Sequence, residues 1–267
     1  MVRFKSLLRF SLRAFLVALT VFGVWLGMEA NEAHRKRRIA LAVTTAGGQV
    51  TYLHQEVGTG DEMLLDFNAE PPGPRWLRDL VGPDYFQEPR RIGISSGKVT
   101  DKWLIRHIDD ISRLKKLNTL SLDNSKLSSE TVGCLGRLTR LDTLMLWGPT
   151  GDEVLPEFHR LTNLRVFLVI GRAITDKGLA YLCRFQRLED LTLVETSITD
   201  GGLQNLSRLP NLKRLYIEKA RITDSGLRHL ESLSDLEVIT LRDTQATESG
   251  VERLRNSLPT CEILFFY

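Results

Sequence analysis

Histidine and acidic side chains are the residue types in this sequence that could support catalysis or bind a metal ion. The five histidines fall at unrelated intervals along the chain: His34, His54, His107, His159 and His229. Only His107, which precedes Asp109 and Asp110, resembles a general acid–base group, and a solvated charged turn is the simpler explanation. No glycine-rich phosphate loop, His-Glu-x-x-His or Cys-x-x-Cys motif occurs. We therefore predict no active site, cofactor, metal site or small-molecule substrate.

Cysteine spacing and overall charge narrow the functional classes further. Cys134, Cys183 and Cys261 are an odd number at wide spacing, which fits neither a disulfide framework nor a zinc site. We interpret them as small apolar core residues. The chain has 42% hydrophobic residues, 26% charged residues and a formal net charge of +3. Much of the basic excess lies beside the first apolar segment, so the charge gives no indication of nucleic-acid binding.

An uncharged apolar segment lies near the N-terminus, from Ala14 to Met28. Fifteen helical residues span about 22 Å, less than the ~30 Å hydrocarbon core, but Arg9 and Arg13 can snorkel and lengthen the span. A cleavable signal peptide also fits this length, although residues 29–33 make a poor cleavage site. We predict an uncleaved single-pass anchor in the cell membrane over residues 1–30.

The sequence gives only a weak indication of the orientation of this anchor in the membrane. Basic residues flank the apolar segment in equal numbers on its two sides, so the positive-inside rule gives only a slight preference. The α-amino group adds one positive charge to the N-terminal side. We therefore expect the rest of the protein on the non-cytoplasmic side of the membrane.

A repeat of about 24 residues organises the sequence from residue 91 onward. The first apolar position of each unit is Ile92, Leu120, Leu144, Phe167, Leu191, Leu215, Ile239 or Ile263. A second apolar residue follows two positions later, as in Leu191 and Leu193, an alternation typical of a short strand with one buried face. Because no unit can bury its apolar face alone, we predict eight stacked parallel strands that share one core.

The segments between these strands have apolar residues at a spacing of three, as in Leu203, Leu206 and Leu209. This spacing predicts short helices or 3₁₀ turns. An Ile-Thr-Asp triplet precedes three of these segments, and its Thr or Asp is expected to cap the first turn. A glycine recurs at a fixed position, at Gly178, Gly202, Gly226 and Gly250. We expect these glycines where stacked units leave no room for a side chain.

These units resemble the leucine-rich repeat family, and the Ile-Thr-Asp-x-Gly-Leu pattern resembles its cysteine-containing, ribonuclease-inhibitor-like type. The resemblance covers residues 91–267 and implies an α/β solenoid, with a curved parallel sheet inside and short helices on the convex side. The usual strand-end Asn or Cys is replaced in this sequence by Ser125, Thr196, Ala220 and Thr244. The whole layout also resembles small membrane-anchored repeat proteins of planctomycete bacteria, which implies a binding role.

Residues 31–90 show no repeat, and we predict that they form a juxtamembrane spacer and an N-terminal cap. Arg35 to Ala46 are expected to continue a basic helix from the membrane, and Gln49 to His54 alternate as a strand does. Trp76, Leu77 and Leu80 then follow at helical spacing, and Phe86 comes before the first strand. We expect this piece to cover the open end of the solenoid rather than to form a ligand pocket.

The strand alternation also identifies side chains that face away from the core. In the third to sixth repeats this group is unusually apolar: Met145, Trp147, Val166, Leu168, Ile170, Val194 and Tyr216. Glu218 and Arg242 lie at its margin. An exposed apolar patch with a charged rim is typical of an interface, and aromatic residues are its usual hot spots. A register shift in the short third repeat would instead turn some of these side chains into core.

Together these patterns predict a non-catalytic, protein-binding module tethered to the cell membrane by a transmembrane helix. Its partner, a protein of unknown identity, is expected on the concave face of the solenoid. The alternative is a structural or spacer protein of the cell envelope without a dedicated partner. That alternative predicts a concave face with no organised affinity.

Overall fold

The computed structural model describes residues 12–57, 64–95, 97–125 and 127–267. One sheet of nine strands runs through the repeat region. In spatial order its strands are β1 (Gln49–Tyr52), β4 (Pro89–Ile94), β5 (Thr119–Leu122), β6 (Thr143–Gly151), β7 (Val166–Ala173), β8 (Asp190–Val194), β9 (Arg214–Glu218), β10 (Val238–Arg242) and β11 (Glu262–Phe266). A separate antiparallel pair joins β2 (Glu56–Val57) to β3 (Leu64–Leu65).

Strands β4 to β11 pair in parallel, as predicted from the repeat. The first apolar residues of the eight units lie side by side in one row from Ile92 to Ile263, and all of them are buried. The second row, from Ile94 to Leu241, is buried too, and only its last member, Phe265, is partly exposed. This stack of parallel strands with short outer helices fits a leucine-rich repeat solenoid.

Short helices connect the strands on the side opposite the open face of the sheet. The long helix α1 (Leu12–Thr45) precedes the sheet. The shorter helices are α2 (Arg75–Val81), α3 (Asp101–Ser112), α4 (Ser129–Gly133), α5 (Asp176–Leu182), α6 (Asp200–Leu203), α7 (Asp224–Leu227) and α8 (Glu248–Ser257). Turns of 3₁₀ helix lie at Leu53–Gln55, Pro83–Tyr85, Cys134–Arg137, Asp152–Arg160 and Gln204–Arg208. The third repeat, which is one residue shorter than its neighbours, has only the 3₁₀ turn Asp152–Arg160 on its outer side. This agrees with the spacing of three between its apolar residues.

The Ile-Thr-Asp triplets join one repeat to the next. Threonine caps its own helix in two of the three triplets, as where Thr175 Oγ1 accepts the Lys177 N–H. Thr199 makes no such bond, and the aspartate acts across the repeat boundary. Asp176 Oδ1 accepts the backbone N–H of Thr199 at 2.7 Å, and its Oδ2 accepts the Thr199 hydroxyl at 2.6 Å. The same pair of bonds recurs from Asp152, Asp200 and Asp224 to Thr175, Thr223 and Thr247.

The recurring glycines make room for these carboxylates. A Cβ built on Gly202 would overlap the carboxylate of Asp176 from the preceding repeat. Gly178, Gly226 and Gly250 face Asp152, Asp200 and Asp224 in the same way. The expected steric role of the glycines is confirmed, and the neighbour that requires it is a hydrogen-bonding aspartate.

The strand ends correct one sequence expectation. Ser125 is exposed, and the buried polar residue after β5 is Asn124, which is fully buried. Its Nδ2 donates to Thr150 Oγ1 at 3.1 Å. β5 ends two residues after its first apolar residue, Leu120, whereas β8 ends three residues after Leu191, and in that unit Thr196 takes the buried position five residues after the first apolar residue. The sequence analysis took the residue five positions after the first apolar residue in every unit, and it therefore named Ser125 in place of Asn124.

The N-terminal end of the sheet is covered by α1 and β1. Ile39 and Val43 of α1 are fully buried against the first repeat, and Lys36 pairs with Glu88 at 2.7 Å. β1 adds an antiparallel ninth strand beside β4. The side chains of Trp76 and Leu80 are 68% and 75% exposed, so these two residues do not cover this end as expected.

The N-terminal part of α1 is a long apolar helix. Residues Ala14–Thr45 contain an 18-residue window with a mean hydropathy of 1.5, and none of that window is buried. A membrane span has these properties, and a signal sequence near an N-terminus shares them.

Candidate partner-binding face

The open face of the sheet consists of the alternate strand side chains that point away from the core, and it carries all nine predicted site residues. Met145, Leu168 and Tyr216 lie in one row across β6, β7 and β9, with Thr192 between Leu168 and Tyr216. Ile170, Val194, Glu218 and Arg242 form a parallel row across β7 to β10. Val166 lies in a third row, between Thr143 and Asp190. None of the nine residues is buried.

The short third unit does not shift the register of the sheet. Leu144 and Leu146 pair with Phe167 and Val169, as the repeat predicts. The irregularity comes later, as a bulge in β6 between Leu146 and Pro149. A conversion of the open-face residues into core residues is therefore excluded.

Trp147 lies at this bulge. Its side chain is 43% exposed, and its indole Nε1 donates to Ser121 Oγ at 2.7 Å. The next residue, Gly148, packs so closely on the backbone of Asn124 and Ser125 that a Cβ would not fit. The buried Asn124 side chain also donates to the Pro149 carbonyl. The bulge is thus tied to the neighbouring repeat, and it holds the indole ring at the edge of the apolar group.

Charged residues beside the apolar group are paired with one another. Arg214 and Asp190 form a two-point ion pair with Nε–Oδ1 and Nη2–Oδ2 distances of 2.5 and 2.8 Å. The Tyr216 hydroxyl donates to Glu218 Oε2 at 2.5 Å. This hydrogen bond to a carboxylate raises the pKa of Tyr216 above its usual value. The tyrosine ring is therefore oriented before any partner binds.

The sequence prediction missed the C-terminal part of the open face. Leu264 and Phe266 of β11 are exposed at 38% and 50%, and they continue the rows of Tyr216 and Arg242. A shallow depression is lined by Tyr216, Thr240, Arg242, Phe265, Phe266 and Tyr267. The alternation of apolar residues in β11 indicates these open-face positions, but the predicted site residues ended with Arg242 in the seventh repeat.

The structure does not bring His107, Asp109 and Asp110 together as an acid–base group. Asp110 pairs with Arg38 at 2.8 Å and with Arg35, and Asp109 pairs with Arg137. His107 instead lies against the Trp103 ring, with 4.9 Å between the ring centroids. Within the described residues, no group of three or more His, Cys, Asp or Glu side chains has the arrangement of a metal site.

The three cysteines occur as free thiols. Cys183 is buried, as expected, and this burial raises the pKa of its thiol to about 11. The thiol is therefore protonated and a poor nucleophile at neutral pH. Cys134 and Cys261 are only partly buried.

No model of a known protein family matches the sequence, and no curated protein matches it either. Among solved structures, internalin C2 of Listeria monocytogenes is similar, with 20% identity and a TM-score of 0.48 over 69% of this chain and 81% of that chain. A second internalin of the same organism has 18% identity and a TM-score of 0.43 over 58% of this chain and 49% of that chain. Internalins are leucine-rich repeat proteins.

Proposed function

We propose that this chain is a non-catalytic leucine-rich repeat module that binds a protein partner on the open face of its sheet and is tethered to the cell membrane by α1. The observation that carries the proposal is the apolar group Met145, Trp147, Val166, Leu168, Ile170 and Val194, which is solvent-accessible on neighbouring strands. Such a group has no role in the core. Association that removes it from water supplies binding free energy.

The arrangement suits a protein ligand. Strand pairing fixes the backbone of Met145, Leu168 and Val194, so little backbone entropy remains to be lost on binding. The ion pair Asp190–Arg214 and the Tyr216–Glu218 hydrogen bond supply a polar rim. A rigid apolar centre with a polar rim is the usual anatomy of a protein interface.

Continuity of α1 supports the membrane tether. Cleavage after Ala30 or Ala33 would cut a helix whose next turns pack on the first repeat through Lys36 and Ile39. We propose that α1 stays intact and that the repeats lie on the non-cytoplasmic side. Full-length protein should resist carbonate extraction, its mature N-terminus should precede Ala14 by mass spectrometry, and external protease should degrade the repeats in intact cells.

A site-specific cross-link tests the binding face. A photoreactive amino acid at Thr192, between Leu168 and Tyr216, is expected to capture the partner in cells. The matched control is Gln204, which is exposed on the outer side. Equal capture from both positions, or from Gln204 alone, would remove the open face as the site. Absence of any specific capture from Thr192 would favour a structural role in the envelope.

The captured partner then allows affinities to be measured by calorimetry. Trp147→Ala should weaken binding by roughly 2–4 kcal/mol, because a partly exposed aromatic ring at a rigid bulge is a typical hot spot. Leu168→Glu and Tyr216→Ala should also weaken it, whereas Gln204→Ala should not. The melting temperature should change little for Trp147→Ala, since the ring is 43% exposed. Wild-type affinity in all three open-face variants would contradict the proposal.

A further inference from the structure

Helix α1 runs beside the first strand of the parallel sheet and in the same direction. Lys36 of α1 pairs with Glu88, the residue before β4, and Glu32 pairs with Lys115 in the loop before β5 at 2.7 Å. Further along α1, Val43 packs where Gly48 approaches Ile94, the last residue of β4. Toward its N-terminus, α1 therefore passes beyond the edge at which the strands begin. We call this the strand-start edge.

The apolar segment and this edge are close together along α1. Glu32 lies four residues after Met28, the last uncharged residue of the apolar segment, and four helical residues rise about 6 Å. With the apolar segment in a bilayer, the strand-start edge faces the lipid headgroups at a distance of about one helical turn. This step rests on the membrane tether proposed above.

The loops at the strand-start edge of the repeats nearest α1 are strongly basic. Residues 113–118, 137–142, 160–165, 184–189 and 208–213 lead into β5 to β9, and together they contain eleven basic and two acidic residues. The net charge of the entire chain is only +3, so the remainder of the protein is net acidic. The corresponding loops before β10 and β11, residues 232–237 and 256–261, contain no basic residue.

One arginine begins each of the five basic loops at the same repeat position. These residues form what we call the arginine row: Arg113, Arg137, Arg160, Arg184 and Arg208. All five are exposed. With neighbouring strands about 4.8 Å apart, the row places five guanidinium groups along roughly 20 Å of one edge.

The arginine row is not neutralised by the protein itself. In the part of the chain that the structure describes, Arg113, Arg160 and Arg208 form no ion pair, and Arg184 lies over the Tyr181 ring. Only Arg137 has a carboxylate partner, Asp109. The row is thus available to an external anion.

We propose that the arginine row binds anionic phospholipid headgroups, so that the strand-start edge is a second membrane contact and the solenoid lies along the bilayer. Guanidinium groups bind phosphate oxygens in a two-point geometry, and basic residues next to an anionic membrane are attracted by its surface potential. The direction of α1 brings this edge to the headgroups, whereas the open face of the sheet stays accessible to the protein partner.

A depth measurement on the full-length chain tests this contact. The three native cysteines are replaced by serine, and a nitroxide is attached through Thr162→Cys at the strand-start edge or through Ala173→Cys at the opposite edge of the same repeat. Both positions are exposed. The protein is reconstituted in phosphatidylcholine vesicles or in an equimolar mixture with phosphatidylglycerol, and a nickel-chelating lipid relaxes nearby nitroxides. We expect several-fold faster relaxation at position 162 with phosphatidylglycerol, reversed by high salt, and no change at position 173.

Charge-matched variants identify the residues. Arg160→Glu, Arg184→Glu and Arg208→Glu together should abolish the effect of phosphatidylglycerol at position 162. Arg172→Glu, Lys177→Glu and Arg221→Glu change the net charge equally from the opposite edge, where all three residues are exposed, and should preserve it. Relaxation that is independent of phosphatidylglycerol, in a chain that resists carbonate extraction, overturns this proposal alone. A chain that carbonate extracts overturns the tether and this proposal together.

Discussion

At the scale of single residues, the side-chain contacts between the third to seventh repeats depend on one aspartate and one glycine at each boundary. Asp176, Asp200 and Asp224 each satisfy the Thr N–H and hydroxyl of the following repeat. No residue larger than glycine fits beside each carboxylate, because its Cβ would occupy the space of the carboxylate oxygen. Two adjacent glycines of α6 allow this to be tested with a matched pair.

Gly202→Ala and Gly201→Ala should have opposite effects on stability. A Cβ at Gly202 overlaps the Asp176 carboxylate, so overpacking should cost about 1–3 kcal/mol. A Cβ at Gly201 makes only ordinary contacts, the nearest being 3.6 Å from Asp176 Oδ2. This change should be neutral or stabilise by up to about 1 kcal/mol, because it reduces the entropy of the unfolded chain. Thermal unfolding followed by circular dichroism measures both, and equal effects would contradict the assigned contact.

The aspartate of the sixth unit should make stability dependent on pH. The Thr247 backbone N–H bond holds the pKa of Asp224 below its usual value. A carboxylate with a lowered folded-state pKa stabilises the fold above its unfolded pKa of about 3.9, and this contribution is lost as the pH falls through the folded value. Asp224→Asn should therefore lower the melting temperature at neutral pH, and the difference should shrink below about pH 4. The exposed Asp235→Asn serves as a control, and a pH-independent difference would refute the assignment.

At the scale of elements, each strand combines a buried face with an open face, and neighbouring residues of β8 separate the two roles. Leu193 is fully buried, so Leu193→Ala should cost about 2–5 kcal/mol. Thr192 lies on the open face, and Thr192→Ala should change stability by no more than about 0.5 kcal/mol. Because repeats contact only their neighbours, amide exchange in Leu193→Ala should increase first in β7 to β9. An unchanged melting curve for Leu193→Ala would contradict the strand register.

The strand register and the open-face residues were predictable because two periods coincide in the sequence. The 24-residue repeat aligns units, and the two-residue alternation within each strand separates core from open face, as at Leu191 to Val194. Features that break a period were not predictable. β5 ends one residue earlier in its repeat than β8 does, and Asn124 is buried there in place of Ser125. The bulge at Trp147 follows an otherwise regular strand.

The contacts of the N-terminal cap were not predictable, for a different physical reason. Residues Glu32 to Arg38 are so rich in charge that they resemble a solvated juxtamembrane spacer, yet their partners lie far away in the sequence, at Glu88, Asp110 and Lys115. Long-range ion pairs leave no local signal. Trp76 and Leu80, by contrast, have the apolar spacing of a cap and remain exposed.

At the scale of the whole molecule, α1 connects the apolar segment to the solenoid without an intervening linker. The same helix that is proposed to cross the bilayer ends with Ile39 and Val43 in the core of the first repeat. In the proposed membrane tether, this continuous helix sets the position of the repeats relative to the bilayer. The proposal therefore directs the strand-start edge at lipid and leaves the open face available to a protein.

The dual role of α1 leads to a prediction about truncation. A chain that begins at Asn31 lacks the apolar segment but keeps Lys36, Ile39 and Val43, and it should be soluble and unfold cooperatively. A chain that begins at Leu41 is equally free of the apolar segment, but it loses the buried Ile39 side chain and the ion pair between Lys36 and Glu88. It should be less stable by at least about 2 kcal/mol, by analogy with the removal of one large buried apolar side chain. Urea unfolding of the two purified chains measures the difference, and amide exchange should place the loss in β1 and β4. Equal stability would show that residues 31–40 are a spacer, and the solenoid would then be free to move relative to the membrane.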